Sequence, residues 1–146
     1  MSQINVNNVL PLNWNAVNVN GAYTSLVVGS LRISNANIAA SGTNNTFIGS
    51  GVGANVTGAS NTLVGTNAGL VLTSGQNNTF VGQQSGTNTT TGFNNTYIGR
   101  AAAASATTAN GNVVIGDGAG VNVTTATNSV FVGNSTGQGV SNISGD

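Results

Sequence analysis

The chain has 146 residues, zero formal net charge and only 3% charged residues, against about 25% in average globular proteins. Its charges are Arg32, Arg100, Asp117 and Asp146, with no Lys, Glu, His or Cys. That composition excludes a basic nucleic-acid surface, a polybasic membrane surface and a disulfide framework. Disorder is excluded on a different ground. Disordered segments combine low hydrophobicity with high net charge, whereas this chain has 38% hydrophobic residues and regularly placed Val, Ile and Phe. No apolar run approaches the roughly 18 residues of a membrane span.

Residues 1–40 differ from the rest. They hold the one Trp (Trp14) and the one Pro (Pro11). Period-2 alternation at Ile4, Val6 and again at Val17, Val19 predicts short extended segments, with a bend at Pro11. SLVVG at 25–29 reads as a degenerate first rung. No positive segment followed by an apolar run opens the chain, so a protein starting at Met1 is expected to fold in a cytoplasm. We treat 1–40 as a docking or cap segment and 41–146 as a repeat domain.

From Thr43 onward one phrase recurs: NNTFIG, SNTLVG, NNTFVG, NNTYIG, GNVVIG and NSVFVG. Its closing glycines are Gly49, Gly65, Gly82, Gly99, Gly116 and Gly133, so the interval is 16 once and 17 thereafter. A short fixed period means stacked rungs. The expected fold is all-β: a parallel β-roll or β-solenoid of about six 17-residue rungs. Each rung is expected to hold two strands and two turns. The first strand ends on the glycine, which permits a tight bend. The second half, as in NAGLVLTSG or QSGTNTTTG, reads as a weaker strand. Small residues four positions after the strand glycine (Gly53, Gly69, Gly86, Ala103, Gly120, Gly137) suggest a corner where backbones approach closely. Stacking predicts ladders of Asn, of Thr (Thr46, Thr62, Thr79, Thr96) and of aromatic side chains.

Two neighbouring slots of the strand are apolar in every rung. The third holds Phe47, Leu63, Phe80, Tyr97, Val114 and Phe131; the fourth holds Ile48, Val64, Val81, Ile98, Ile115 and Val132. Neighbours on a strand face opposite ways, so one slot lines the coil and the other needs a further partner. Either the aromatic slot fills the interior of a single coil, or it faces sister chains. The limited room in a thin coil favours the second, and a closed homo-oligomer would bury the resulting stripe.

The NNTFIG…NNTFVG…NNTYIG series resembles the head repeats of trimeric autotransporter adhesins, with their NSVAIG-like strand. It is still more similar to NTxVG-type repeats in fibre and spike proteins of phages and other viruses. The resemblance spans about residues 43–137. It implies three chains, each a left-handed parallel β-roll, packed round a threefold axis. The adhesin repeat is shorter. The signal peptide, heptad stalk and membrane anchor of an autotransporter are not seen, which favours the viral branch.

Little chemistry is available. Acid–base catalysis needs groups that this chain holds only as Asp117 and Asp146, so no catalytic residue, cofactor or metal is expected. Asp117 in GDGAG reads as a turn residue. GSGVG and GDGAG lack the P-loop lysine and its following helix. The Asn-x-Ser/Thr sequences at Asn44, Asn55, Asn77, Asn88, Asn94, Asn122, Asn134 and Asn142 arise from the repeat and read as turn formers. The expectation is a non-enzymatic virion protein: a homotrimeric fibre, spike or capsid decoration, assembled in the host cytoplasm and displayed on the virion surface. Residues 1–40 would dock on a capsid or tail protein, and the rod could also attach to a host surface glycan. A bacterial surface adhesin or an extracellular filament subunit is the alternative. An ice-binding solenoid is a more distant one, because Val113 and Val130 interrupt the Thr array.

Overall fold

The computed structural model describes residues 42–139. The docking segment expected over 1–40, with its Pro11 bend and degenerate rung, lies outside them.

Each repeated phrase forms one three-residue strand: β1 (Thr46–Ile48), β2 (Thr62–Val64), β3 (Thr79–Val81), β4 (Thr96–Ile98), β5 (Val113–Ile115) and β6 (Val130–Val132). β-Branched and aromatic residues favour the extended backbone. The following glycine ends each strand: Gly65 has φ +126°, and a Cβ there would lie 2.6 Å from the Gly82 carbonyl of the next rung. All six strands pair in parallel in the order β1-β2-β3-β4-β5-β6. Their register matches like with like, for example Thr79↔Thr96, Phe80↔Tyr97 and Val81↔Ile98. The fold is therefore the all-β parallel solenoid that the period predicts.

The second half of each rung is not a strand. It is a run of turns closed by i→i+3 bonds, such as Thr89 N–H to Gly86 O at 2.9 Å and Ala106 N–H to Ala103 O at 3.0 Å. Three positions per rung besides the strand glycine hold the left-handed backbone; in the fourth rung they are Asn94, Ala101 and Ala103. Repeated reversals of this kind cannot propagate as an extended chain. The predicted corner is real. Gly86 (φ +56°) leaves a Cβ-sized space that the Phe80 ring fills, its Cε2 only 2.7 Å from where a Cβ would stand.

The core is a thin column inside the coil. Leu63, Phe80 and Tyr97 are fully buried, and Val114 and Phe131 nearly so. The aromatic slot thus faces inward, against the expectation that it faces sister chains. Room comes from matched volumes. The residue nine positions after the strand core residue is also buried in the first five rungs, and in the three middle rungs it shrinks as the strand residue grows: Leu63 with Leu72, Phe80 with Thr89, Tyr97 with Ala106. The AAAASA stretch is where the coil admits its tyrosine. Phe80 and Tyr97 stack with ring centroids 4.7 Å apart and planes within 4°, the spacing of adjacent strands.

A polar column runs beside this core. Asn45, Asn61, Asn78, Asn95 and Asn112 are all buried. Each Oδ1 accepts from the next rung's backbone N–H, as from Asn95 N to Asn78 Oδ1 at 3.1 Å. Each Nδ2 donates across the coil, as from Asn95 to Ala109 O at 2.7 Å. Its second hydrogen goes to the preceding Asn Oδ1, here Asn78 at 3.1 Å. Ser129 ends the column by donating its backbone N–H to Asn112 Oδ1 at 3.0 Å. Buried amides are tolerated because nearly every polar atom is paired.

Candidate functional site

With the third slot inside, slots two and four of each strand share the outer face of the sheet. Slot four gives an unbroken aliphatic column: Ile48, Val64, Val81, Ile98, Ile115 and Val132. Val64 and Val81 are half-buried, while Ile48 is 48% and Val132 62% exposed. Slot two gives Thr46, Thr62, Thr79 and Thr96, then Val113 and Val130. Val130 is 70% exposed. In-register pairing sets the two columns side by side along the sheet. The twelve predicted ladder residues are therefore divided by the fold: six fill the coil and six form its surface. The six predicted glycines end the strands between these two roles.

Electrostatics contributes one feature to the described residues. Arg100 and Asp117 occupy the same position in adjacent rungs. They pair in two-pronged fashion, Nε to Oδ1 at 2.8 Å and Nη2 to Oδ2 at 2.8 Å. The pair is exposed, so its contribution to stability is small. It does occupy Asp117, the one carboxylate among the described residues. No group of three or more His, Cys, Asp or Glu that could hold a metal ion occurs among them. None of their helices is long and apolar enough to cross a membrane.

A further ladder was not read from the sequence. Thr73, Thr90 and Thr107 each donate a side-chain hydroxyl to the carbonyl of the threonine in the next rung, at 3.0, 3.2 and 3.3 Å. The backbone N–H of each binds the same carbonyl at 2.9 Å. Their signal in the sequence is a threonine at period 17, outside the β-rich phrase.

Two buried hydroxyls stand apart from this satisfaction. Thr89 Oγ1 and Tyr97 Oη have no hydrogen-bond partner among the described residues. Burial pushes the Tyr97 phenol well above its usual range, with the Asn112 side chain pulling weakly the other way. Asn112 can offer little as a donor, since both its Nδ2 hydrogens serve Asn95 Oδ1 and Ala126 O.

Comparison with family models, with curated proteins and with solved structures gave no match.

Proposed function

We propose that this protein is a non-enzymatic structural rod that assembles with copies of itself through the outer face of its sheet. The observation that carries the reading is the aliphatic column from Ile48 to Val132, in register over six strands, half-buried at Val64 and Val81 and exposed at its other four residues. A continuous apolar stripe of this kind marks an interface, and the absence of charge on the face removes repulsion between like copies. The number three comes from the resemblance of the NNTFIG series to adhesin and viral fibre heads. On that reading the rod is a homotrimeric fibre, spike or capsid decoration displayed on a virion surface. Residues 1–40 dock it to a capsid or tail protein. A bacterial surface adhesin or a filament subunit would use the same face. The composition supports a role outside catalysis, as does the engagement of Asp117 by Arg100.

Solution mass tests the reading: sedimentation equilibrium is expected to give three times the 14.3 kDa chain mass. The outward Thr column favours a second reading, ice binding, in which the flat face meets ordered water instead of sister chains. A stable 14.3 kDa monomer that shows thermal hysteresis would favour it over assembly.

A further inference from the structure

Between residues 42 and 139 every aromatic side chain but one sits in the strand core. The exception is Phe93, which is 48% exposed. It stands in the turn before β4, where the equivalent turns carry Ala59, Gln76, Asn110 and Thr127. No packing requirement of the repeat explains a phenyl ring there.

A surface cleft of about 360 Å³ lies against the ring. Its lining comes from two successive turns: Ser74, Gln76 and Asn77 from one, Thr91, Phe93 and Asn94 from the other. The main chain beneath is fixed. Phe93 N–H donates to Asn110 Oδ1 at 3.0 Å, Gly111 N–H to Phe93 O at 3.0 Å and Asn94 N–H to Gln76 O at 3.0 Å. The side chains above are uncommitted. The amides of Gln76, Asn77 and Asn94 and the hydroxyls of Ser74 and Thr91 make no hydrogen bond to another described residue. The cleft therefore holds one aromatic plate, five uncommitted polar side chains and no charge.

Ligand sites combine an apolar surface with a few placed polar groups, in volumes of roughly 300–1,000 Å³. This cleft is at the small end. The lack of charge gives it nothing to select a phosphate, a carboxylate or a cation. A ring with one C–H face and a rim of hydroxyls matches it. We propose that the cleft binds a pyranose unit of a neutral glycan. Phe93 lies under the sugar's apolar face, and the Gln76, Asn77 and Asn94 amides bind its hydroxyls. A single chain builds this site, so it goes beyond the assembly proposed above and does not depend on it.

Saturation-transfer NMR on the full chain tests the site. The probes are maltotriose, cellotriose, lactose and tri-N-acetylchitotriose, with sialyllactose as the charged comparison. At least one neutral probe is expected to receive saturation, with millimolar affinity. Phe93→Ala should weaken it by at least about tenfold, the loss typical of removing an aromatic anchor. Phe93→Trp should preserve binding, and Asn77→Gly with Asn94→Gly, which keeps the left-handed turns of both residues, should weaken it without touching the ring. Circular dichroism should show all variants folded, since these side chains are exposed. No transfer to any neutral probe overturns the proposal. So does preference for the sialylated probe, or neutral binding that survives Phe93→Ala.

Discussion

At the residue scale, the buried asparagines hold adjacent rungs together most directly. Each one joins three carbonyl or amide groups that would otherwise be stranded in the core. Asn95→Ala deletes the bonds to Asn78 Oδ1 and Ala109 O and leaves the Asn112 N–H unpaired. A stranded buried polar group costs about 1–3 kcal/mol, so the variant should lose about 3 kcal/mol, read as a lower urea midpoint. Asn94 sits next to it with an exposed side chain and a left-handed backbone (φ +59°) that glycine also accepts, so Asn94→Gly should lose far less. Tyr97 gives the opposite sign. Its hydroxyl is buried and has no hydrogen-bond partner among the described residues, so Tyr97→Phe should gain about 1 kcal/mol at neutral pH. Burial raises the pH at which the phenol ionises in the folded chain. Folding therefore favours the protonated form. This contribution is complete below the unfolded value of about 10 and is lost as pH rises past it. Urea midpoints for the native chain should fall above about pH 10; those of Tyr97→Phe should fall much less. An identical alkaline fall in both would refute the assignment.

At the element scale, a rung is one short strand followed by a series of reversals, and left-handed residues set its shape. Ala101 has φ +53° and is partly exposed. An L-residue in this region costs about 1–2 kcal/mol, so Ala101→Gly should raise the melting temperature and move stability up by about 1 kcal/mol. A decrease would mean that the Ala101 methyl contributes packing that outweighs this strain. These reversals also explain what the sequence made legible. The period, the parallel stacking, the Asn column and the small corner residues follow from repetition alone, because like residues stack on like. The second half was misread as a strand because Val and Thr are β-favouring whether they lie in a strand or a turn. The inward aromatic slot was misassigned for another reason. Room for Phe80 and Tyr97 depends on Thr89 and Ala106 nine residues later, a pairing across the coil that no strand pattern displays. The outer face was legible only as a choice between slots. The Phe93 cleft became visible only when two turns a rung apart were brought together.

At the scale of the whole molecule, a solenoid is close to one-dimensional, and each rung contacts its neighbours only. Losses at Asn95 should accordingly be local, while a change on the shared outer face should act on assembly. Ile98 lies in the middle of the aliphatic column and is 38% exposed. Ile98→Asp should leave the isolated coil folded, since its side chain leaves the core untouched. In an assembly it would bury an uncompensated carboxylate in every copy. The direct measurement is sedimentation equilibrium of the native chain and Ile98→Asp at micromolar concentration. The predicted result is three times the 14.3 kDa chain mass for the native protein and dissociation of the folded variant. A native protein that sediments at 14.3 kDa, or a variant that assembles as the native chain does, would contradict the outer face as a self-association surface.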